Sequence, residues 1–261
     1  MPLMFKYIAY ISIIISLLSC NKDVEIKNDD DIIPTERIIS LQNSYDMDIK
    51  EPSGLSFGDG GQFYSVDDNT NRIYKISKTG EVIYYLNFIG DDLEGITYNS
   101  ISKRLYIVNE GERKIIELDT NGVVINHWSF TVSGGSSNKG FEGISIDESN
   151  NIFYILNEAS PCLLIKWDYE SKTELSRKEL SFAKDYSGIF FDNTDNTLWI
   201  ISDKSQKIFH TTTEGVITES FNLDYDKAEG IIVDSKNNTI YITRDYQSNI
   251  KLYVYKLSIK K

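Results

Sequence analysis

Residues 93–110 decide the fold, and they read LEGITYNSISKRLYIVNE. A Glu-Gly-Ile motif opens this stretch, and an aromatic residue four positions before an acid, Tyr106 before Glu110, closes it. Both elements return along the chain at similar distances. An internal repeat is therefore the first feature to test, because a fixed period of this kind identifies a whole class of folds.

The glycine-centred motif occurs five times. Its copies are Ser53-Gly54-Leu55, Glu94-Gly95-Ile96, Glu142-Gly143-Ile144, Ser187-Gly188-Ile189 and Glu229-Gly230-Ile231. Successive glycines are 41, 48, 45 and 42 residues apart, and an acid follows each glycine after 14 or 15 residues. Two spacings held this closely over five copies indicate one structural unit, used five times.

Each unit predicts four short strands, because runs rich in Tyr, Ile and Val alternate with turns that contain glycine. Four strands in 41–48 residues are typical of a propeller blade. The fifth unit holds only three strands, while residues 37–41 form a strand pattern with no partner of its own. We therefore predict an all-β, five-bladed β-propeller over residues 36–261, closed by this N-terminal strand so that no edge stays open. The 48-residue step is assigned to an insertion at residues 131–140, predicted to be a surface loop.

The N-terminus has the pattern of an export signal. Residues 7–18 are an apolar run, shorter than the roughly 20 residues that cross a membrane. The run ends in Leu17-Leu18-Ser19-Cys20, which resembles the lipobox of bacterial lipoproteins. We predict a signal peptide at residues 1–19, a lipid on Cys20 and a flexible acidic tether over residues 20–35. An uncleaved anchor and a secretory signal with a chance cysteine are the alternatives.

This prediction places the protein in the cell envelope, held by the lipid at Cys20 in a membrane. The outer membrane is the expected one, with surface exposure as an option.

The charge limits the classes of partner. The chain carries 39 acidic and 27 basic residues, a formal net charge of -12. Nucleic acids and anionic membrane surfaces need clustered Lys and Arg, so neither is an expected partner. The acidic excess suits cation binding or plain solubility. The two cysteines form no disulfide framework; Cys162 is predicted to be a small core residue, and we expect a monomer.

In a propeller, the innermost strands line an axial channel, so the residue before each motif glycine is predicted to lie at the channel mouth. Three of these residues are acids, Glu94, Glu142 and Glu229. The acids that end the second strands form a second ring: Asp68, Glu110, Glu158, Asp203 and Asp245. Converging carboxylates raise one another's pKa unless a cation neutralises them.

Oxygen ligands without His or Cys suit a hard cation, and calcium is the predicted ion. Asn109 and Asn157 are candidates for further oxygens, whereas His127 and His210 lie inside strand patterns. The alternative is structural, with the acids bonding backbone amides of the next blade or capping a turn. For the second ring we prefer this structural interpretation; for Glu94, Glu142 and Glu229 both interpretations stay open.

Four strings carry a family resemblance. They are Glu51-Pro52-Ser53-Gly54-Leu55-Ser56-Phe57, Val66-Asp67-Asp68, Asp91-Asp92-Leu93-Glu94-Gly95-Ile96 and Phe141-Glu142-Gly143-Ile144. These strings resemble the SdiA-regulated family of bacterial envelope proteins over nearly all of residues 36–261. The resemblance implies a five-bladed propeller, distantly similar to NHL-repeat proteins, with a calcium site at positions that match Glu94, Glu142 and Glu229. It implies no reaction.

Two functions are compared, and a purely structural role in the envelope is a third alternative. The first is a calcium-binding recognition module that binds an unknown ligand or protein at the propeller face. The second is a calcium-dependent hydrolase, phytase-like or lactonase-like, in which the ion activates water or polarises the substrate. The cations that suggest a clamp for an anionic substrate, Arg113, Lys114 and Arg244, do not repeat, and there is no nucleophile elbow or phosphate loop. The sequence favours the binding module, and catalysis stays uncertain.

Overall fold

The structure is a computed structural model that describes residues 36–134, 139–247 and 249–260. The predicted signal peptide, Cys20 and the tether at residues 20–35 lie outside the described residues, as do residues 135–138 of the predicted loop. Glu36–Lys261 form one compact unit. Within the described ranges, no helix is both long and apolar enough to cross a bilayer.

The described chain is built from strands, with two short 3-10 turns at Asp59–Gly61 and Ser235–Asn237. The strands in chain order are β1 (Arg37–Asp46), β2 (Pro52–Phe57), β3 (Phe63–Asp67), β4 (Arg72–Ile76), β5 (Val82–Ile89), β6 (Leu93–Asn99), β7 (Arg104–Asn109), β8 (Lys114–Asp119), β9 (Val124–Ser129), β10 (Phe141–Asp147), β11 (Ile152–Asn157), β12 (Leu163–Asp168), β13 (Thr173–Glu179), β14 (Gly188–Asp192), β15 (Thr197–Ser202), β16 (Lys207–Thr212), β17 (Ile217–Asn222), β18 (Ala228–Asp234), β19 (Thr239–Arg244) and β20 (Lys251–Ile259).

These strands form five antiparallel sheets of four strands each, which are the five predicted blades. Blades 1 to 4 are β2–β5, β6–β9, β10–β13 and β14–β17, each in chain order. Blade 5 has the order β18-β19-β20-β1, so the first strand of the propeller completes the last blade. The pairing runs from Arg37 opposite Ile259 to Asp46 opposite Lys251. The five-bladed propeller and its closure by the N-terminal strand are thus confirmed.

The motif glycines lie where the innermost strands, β2, β6, β10, β14 and β18, approach one another. A Cβ on Gly188 would stand 2.3 Å from the backbone oxygen of Glu229, and a Cβ on Gly54 would stand 2.5 Å from that of Glu94. Each motif glycine meets the motif of the following blade in this way around the ring. The repeat therefore keeps glycine because no side chain fits between neighbouring blades at the axis.

A side chain at this ring is expected to destabilise the whole propeller. Gly188→Ala places a methyl group against backbone rather than against a mobile side chain, so overpacking is expected to cost about 1–3 kcal/mol. Thermal melting measures the loss. The control is Gly60→Asn, since nothing lies within 4 Å of that position and Asn tolerates its φ of 68°. A Gly188→Ala protein that melts with the wild type would contradict this account of the motif.

Apolar side chains of adjacent blades pack into clusters between the sheets, and the buried Trp199 and Tyr64 are among the largest members. Cys162, predicted as a core residue, is only half-buried; it lies at the margin of the cluster between blades 3 and 4. The residue thus packs against the core as predicted, but its side chain remains partly exposed to solvent.

Candidate functional site

The innermost strands begin around a cavity of about 300 Å³, which we call the acidic mouth. Both predicted rings line it. Its lining residues are Glu51, Ser53, Asp68, Glu94, Glu110, Glu142, Glu158, Asp185, Ser187, Asp203, Lys204, Lys227, Glu229 and Asp245. Among the residues that the structure describes, ten carboxylates therefore face two ammonium groups, a large excess of negative charge in a confined space.

A local irregularity in the sheets directs the first ring toward the axis. In blades 1, 2, 3 and 5, the register between the innermost strand and its neighbour shifts at the glycine motif. Such a bulge adds a residue that has no direct partner and re-aims its side chain. In blade 4, β14 begins only at Gly188, so Ser187 lies just before the strand.

The three glutamates of the first ring are set deep in the mouth. Burial raises the pKa of Glu229 to about 8, and the charge of Asp203 adds to the effect. Burial also raises the pKa of Glu94 and of Glu142 well above the usual value, reinforced by neighbouring carboxylates. A cation bound among these groups would offset this cost of charging them.

Two groups of carboxylates are close enough to share one ion. The first is Asp68, Asp92 and Glu94, and the second is Glu110, Glu142 and Glu158; within each group the oxygens lie within 4.8 Å of one another. Both groups lie between adjacent blades. Each contains one first-ring glutamate: Glu94 lies with Asp68 and Asp92, and Glu142 lies with Glu110 and Glu158. Glu229, which the sequence placed with Glu94 and Glu142, lines the same mouth but belongs to neither group.

Two second-ring acids make the backbone contacts expected of the structural interpretation. An Oε1 of Glu110 accepts a hydrogen bond from the backbone N–H of Gly140 at 3.2 Å, just before blade 3. Asp203 accepts one from the backbone N–H of Lys227, just before blade 5. These two acids therefore link neighbouring blades, whatever else they bind.

Glu158 and Asp68 differ from that pattern. The Oε1 of Glu158 pairs with the ammonium group of Lys204 at 2.7 Å and with that of Lys139 at 3.5 Å. In the described part of the chain, the Asp68 carboxylate has no hydrogen-bond or ion-pair partner, and burial raises its pKa to about 6. The two carboxylate groups therefore differ in charge. The group of Glu110, Glu142 and Glu158 already contacts two ammonium groups, whereas the group of Asp68, Asp92 and Glu94 has no ion pair among the described residues.

A third repeated position, which was not predicted from the sequence, also contributes to the site. It lies two residues before each first-ring residue and holds Glu51, Asp92, Gly140, Asp185 and Lys227. Three of these residues, Glu51, Asp185 and Lys227, line the acidic mouth, and Asp92 shares a carboxylate group with Asp68 and Glu94. The fixed distance of this position from the motif glycine was the signal in the sequence that could have identified it.

The cations of the mouth were also missed. Lys204 and Lys227 line it, whereas the cations weighed from the sequence do not. Arg113 donates to Asn157 at 3.0 Å, Lys114 pairs with Glu112, and Arg244 pairs with Asp226 at 3.0 Å.

The two asparagines proposed as further oxygen ligands serve another purpose. The Oδ1 of Asn109 accepts from the backbone N–H of Glu112 at 2.7 Å, and the Oδ1 of Asn157 accepts from Arg113. Neither asparagine lines the acidic mouth. The Asn109 oxygen thus holds the turn that follows β7 by satisfying a backbone N–H group, whereas the Asn157 oxygen binds a side chain of the neighbouring blade.

Solved structures of similar fold are enzymes of different activities. A glutaminyl cyclase from Myxococcus xanthus aligns with a TM-score of 0.65 at 12% identity, covering 87% of this chain and 100% of that one. A gluconolactonase from Xanthomonas campestris aligns with a TM-score of 0.55 at 11% identity, covering 82% and 88%. A virginiamycin B lyase from Staphylococcus aureus aligns with a TM-score of 0.51 at 16% identity, covering 83% and 69%. At these identities the likeness concerns the fold alone.

The family comparison is more specific, because it follows the sequence of the repeats themselves. Residues 36–247 match the family described as SdiA-regulated. This range includes every glycine motif and both rings of the acidic mouth. The chain belongs to the SdiA-regulated family.

Proposed function

We propose that this protein is a lipid-anchored envelope protein whose propeller binds calcium in the acidic mouth and uses that face to recognise a ligand or protein. The group Asp68, Asp92 and Glu94 carries the proposal: its oxygens lie within 4.8 Å of one another. Calcium takes six to eight oxygen ligands at about 2.3–2.6 Å, and carboxylates that converge from two blades suit its flexible coordination.

The charges favour this group over its neighbour as the calcium site. None of the ion pairs among the described residues involves Asp68, Asp92 or Glu94, whereas Glu158 in the second group is paired with Lys204. An ammonium group beside a ligand competes with the incoming ion. The unpaired group gains more from a divalent cation.

Calcium titration of residues 21–261 by calorimetry tests the site. We expect saturable binding, a loss of at least tenfold in affinity in Asp68→Asn and Glu94→Gln, and a smaller loss in Glu158→Gln. Glu81→Gln is the matched control, since Glu81 is an exposed acid outside the mouth. Affinity is expected to rise with pH, because the raised pKa of Asp68, about 6, means that calcium must displace a proton below that pH. The absence of binding at millimolar calcium would refute the proposal.

The lipid anchor rests on the sequence Leu17-Leu18-Ser19-Cys20. Labelling cells with a palmitate analogue tests it: label is expected on the wild-type chain and absent from Cys20→Ala.

A calcium-dependent hydrolase is the second candidate, and one observation favours it. Glu229, with its pKa raised to about 8, shares the mouth with Lys204 and Lys227. A carboxyl group that titrates near neutral pH can act as a general acid or base, and two ammonium groups can hold an anionic substrate. A screen of phosphate esters and lactones with calcium, comparing wild type with Glu229→Gln, separates the two functions. Turnover lost in Glu229→Gln but kept in Glu81→Gln would favour the hydrolase.

A further inference from the structure

A second cavity, of about 420 Å³, lies where the innermost strands end, so it occupies the opposite end of the axis from the acidic mouth. We call it the far cavity. All five innermost strands contribute to it, and its walls include Leu55, Ile96, Ile144, Ile189 and Val233. Each of these side chains follows a motif glycine on the same strand. The repeat that places acids at one end therefore places aliphatic side chains at the other.

The two cavities are separated by the glycine ring. At that level the axis narrows to a space of about 10 Å³, lined by the motif glycines and the residues beside them. This is about the volume that a single water needs, so the glycine ring leaves no room for a ligand between the two cavities. The far cavity is accordingly a site of its own, with access from its own end.

The charged groups at the rim of the far cavity are engaged with the rim itself. Asp59 accepts hydrogen bonds from the Tyr98 hydroxyl and from the Lys103 ammonium group at 2.9 Å. Glu148 accepts from the Ser100 hydroxyl at 2.7 Å. These pairings fix the rim in position without covering the aliphatic walls.

Two further carboxylates and one exposed aliphatic side chain complete this rim. Asp192 accepts from the backbone N–H of Thr194 at 2.9 Å, and Asp234 accepts from that of Asn237 at 3.1 Å. Ile101 also lines the cavity and is 74% exposed. The five wall side chains are each only 2–5% exposed, so the apolar walls lie deep in the cavity and Ile101 stands at its opening.

We propose that the far cavity binds a small organic molecule with an apolar body and a polar end that is uncharged or cationic. Its volume lies within the roughly 300–1,000 Å³ of small-molecule sites, and its apolar walls favour an aliphatic or aromatic body. The rim charges select the polar end. Four carboxylates face the ammonium groups of Lys103 and Lys236, so an anionic end meets net repulsion.

The first test uses N-phenyl-1-naphthylamine, an uncharged fluorophore that brightens in apolar surroundings, with residues 21–261 in detergent-free buffer. Saturable binding at one site is expected. Ile101→Asp, which puts a charge on the apolar rim, is expected to weaken binding at least tenfold. The matched control is Ile89→Asp, because Ile89 is 66% exposed on β5, away from the axis. Non-saturable fluorescence, or equal binding by the two variants, overturns the proposal.

A blocking variant tests the location by another route. Ser149 lines the far cavity and is exposed, so Ser149→Trp fills the opening without disturbing the core. Probe binding is expected to fall in Ser149→Trp and to stay unchanged in Glu94→Gln, which alters only the acidic mouth. The reverse pattern would place the probe in the mouth and refute the assignment.

The charge preference is tested by displacing the probe with three compounds that share an eight-carbon chain. Octylamine and 1-octanol are expected to displace it at lower concentrations than octanoate does. If octanoate is the strongest competitor, the proposed class of ligand is wrong. These readouts need no calcium, so they fail or succeed independently of the calcium proposal.

Discussion

Removing residues 1–46 is expected to abolish cooperative thermal unfolding of the propeller, because this deletion takes β1 away from blade 5. The ten-residue strand pairs with β20 along its length. Each backbone hydrogen bond contributes about 0.5–1.5 kcal/mol net, so the ladder accounts for roughly 5 kcal/mol or more. That is a large share of the roughly 5–15 kcal/mol that stabilises a typical domain.

The deletion also removes side-chain contacts, in addition to the backbone hydrogen bonds between β1 and β20. The guanidinium group of Arg37 pairs with Glu219 of blade 4 and lies over the ring of Trp199, so β1 also joins blade 5 to blade 4. Without β1, the backbone groups of β20 become a free edge that can pair with another chain. Aggregation is therefore expected to accompany the loss of stability.

The matched control removes residues 1–35 and keeps β1. This shorter deletion is expected to melt cooperatively, like the full chain, as measured by circular dichroism and size-exclusion chromatography. Adding a synthetic peptide of residues 36–46 to the longer deletion is expected to restore part of the stability. Equal melting of the two deletions would show that the closure strand contributes little.

The metal-free protein is expected to lose stability as the pH rises from about 5 to 8.5. The folded-state pKa of Glu229 is raised to about 8, and those of Glu94 and Glu142 are raised well above the usual value. In this window the folded state holds protons that the unfolded state has released, so raising the pH favours unfolding. The melting temperature is expected to fall by several degrees, since 1 kcal/mol corresponds to about 2–4 °C at this size.

Calcium is expected to reverse this trend. At a concentration of 100 times Kd, binding stabilises the folded state by about 2.7 kcal/mol, or about 5–10 °C. The effect is expected to be largest at high pH, where the carboxylates are already ionised. In the triple variant Glu94→Gln, Glu142→Gln, Glu229→Gln, the calcium effect is expected to be nearly absent and the pH dependence much smaller, with Asp68, whose pKa is raised to about 6, accounting for a remainder at the acid end. A metal-free wild type that is most stable at pH 8.5 would contradict the raised pKa values.

The sequence predicted the blades and their closure because each depends on local pattern. A motif glycine at a fixed distance from an acid, such as Gly95 and Glu110, needs only strand periodicity to be placed on the channel. Lys204 was not predictable in this way. Its ammonium group reaches the mouth by crossing from blade 4 to Glu158 of blade 3, a contact between residues 46 positions apart.

The far cavity escaped the sequence analysis for a different reason. Residues such as Ile144 and Val233 belong to alternating strands whose apolar positions are ordinary core positions in most blades. Whether such a side chain is covered depends on how closely five strands converge, and here the glycines set that distance. The spacing of the motif was visible in the sequence, but the width of the space beyond it was not.

Because β1 completes blade 5, the two ends of the propeller lie side by side, and the ring does not require the chain to begin at this blade. The backbone N–H of Lys260 donates to the carbonyl of Glu36 at 2.7 Å, so these two residues are neighbours in space. A short linker could join them, and new termini could open in a turn between any two blades without removing a strand from a sheet. The propeller is thus a candidate for circular permutation, which would let either end of the axis be turned toward a chosen attachment point.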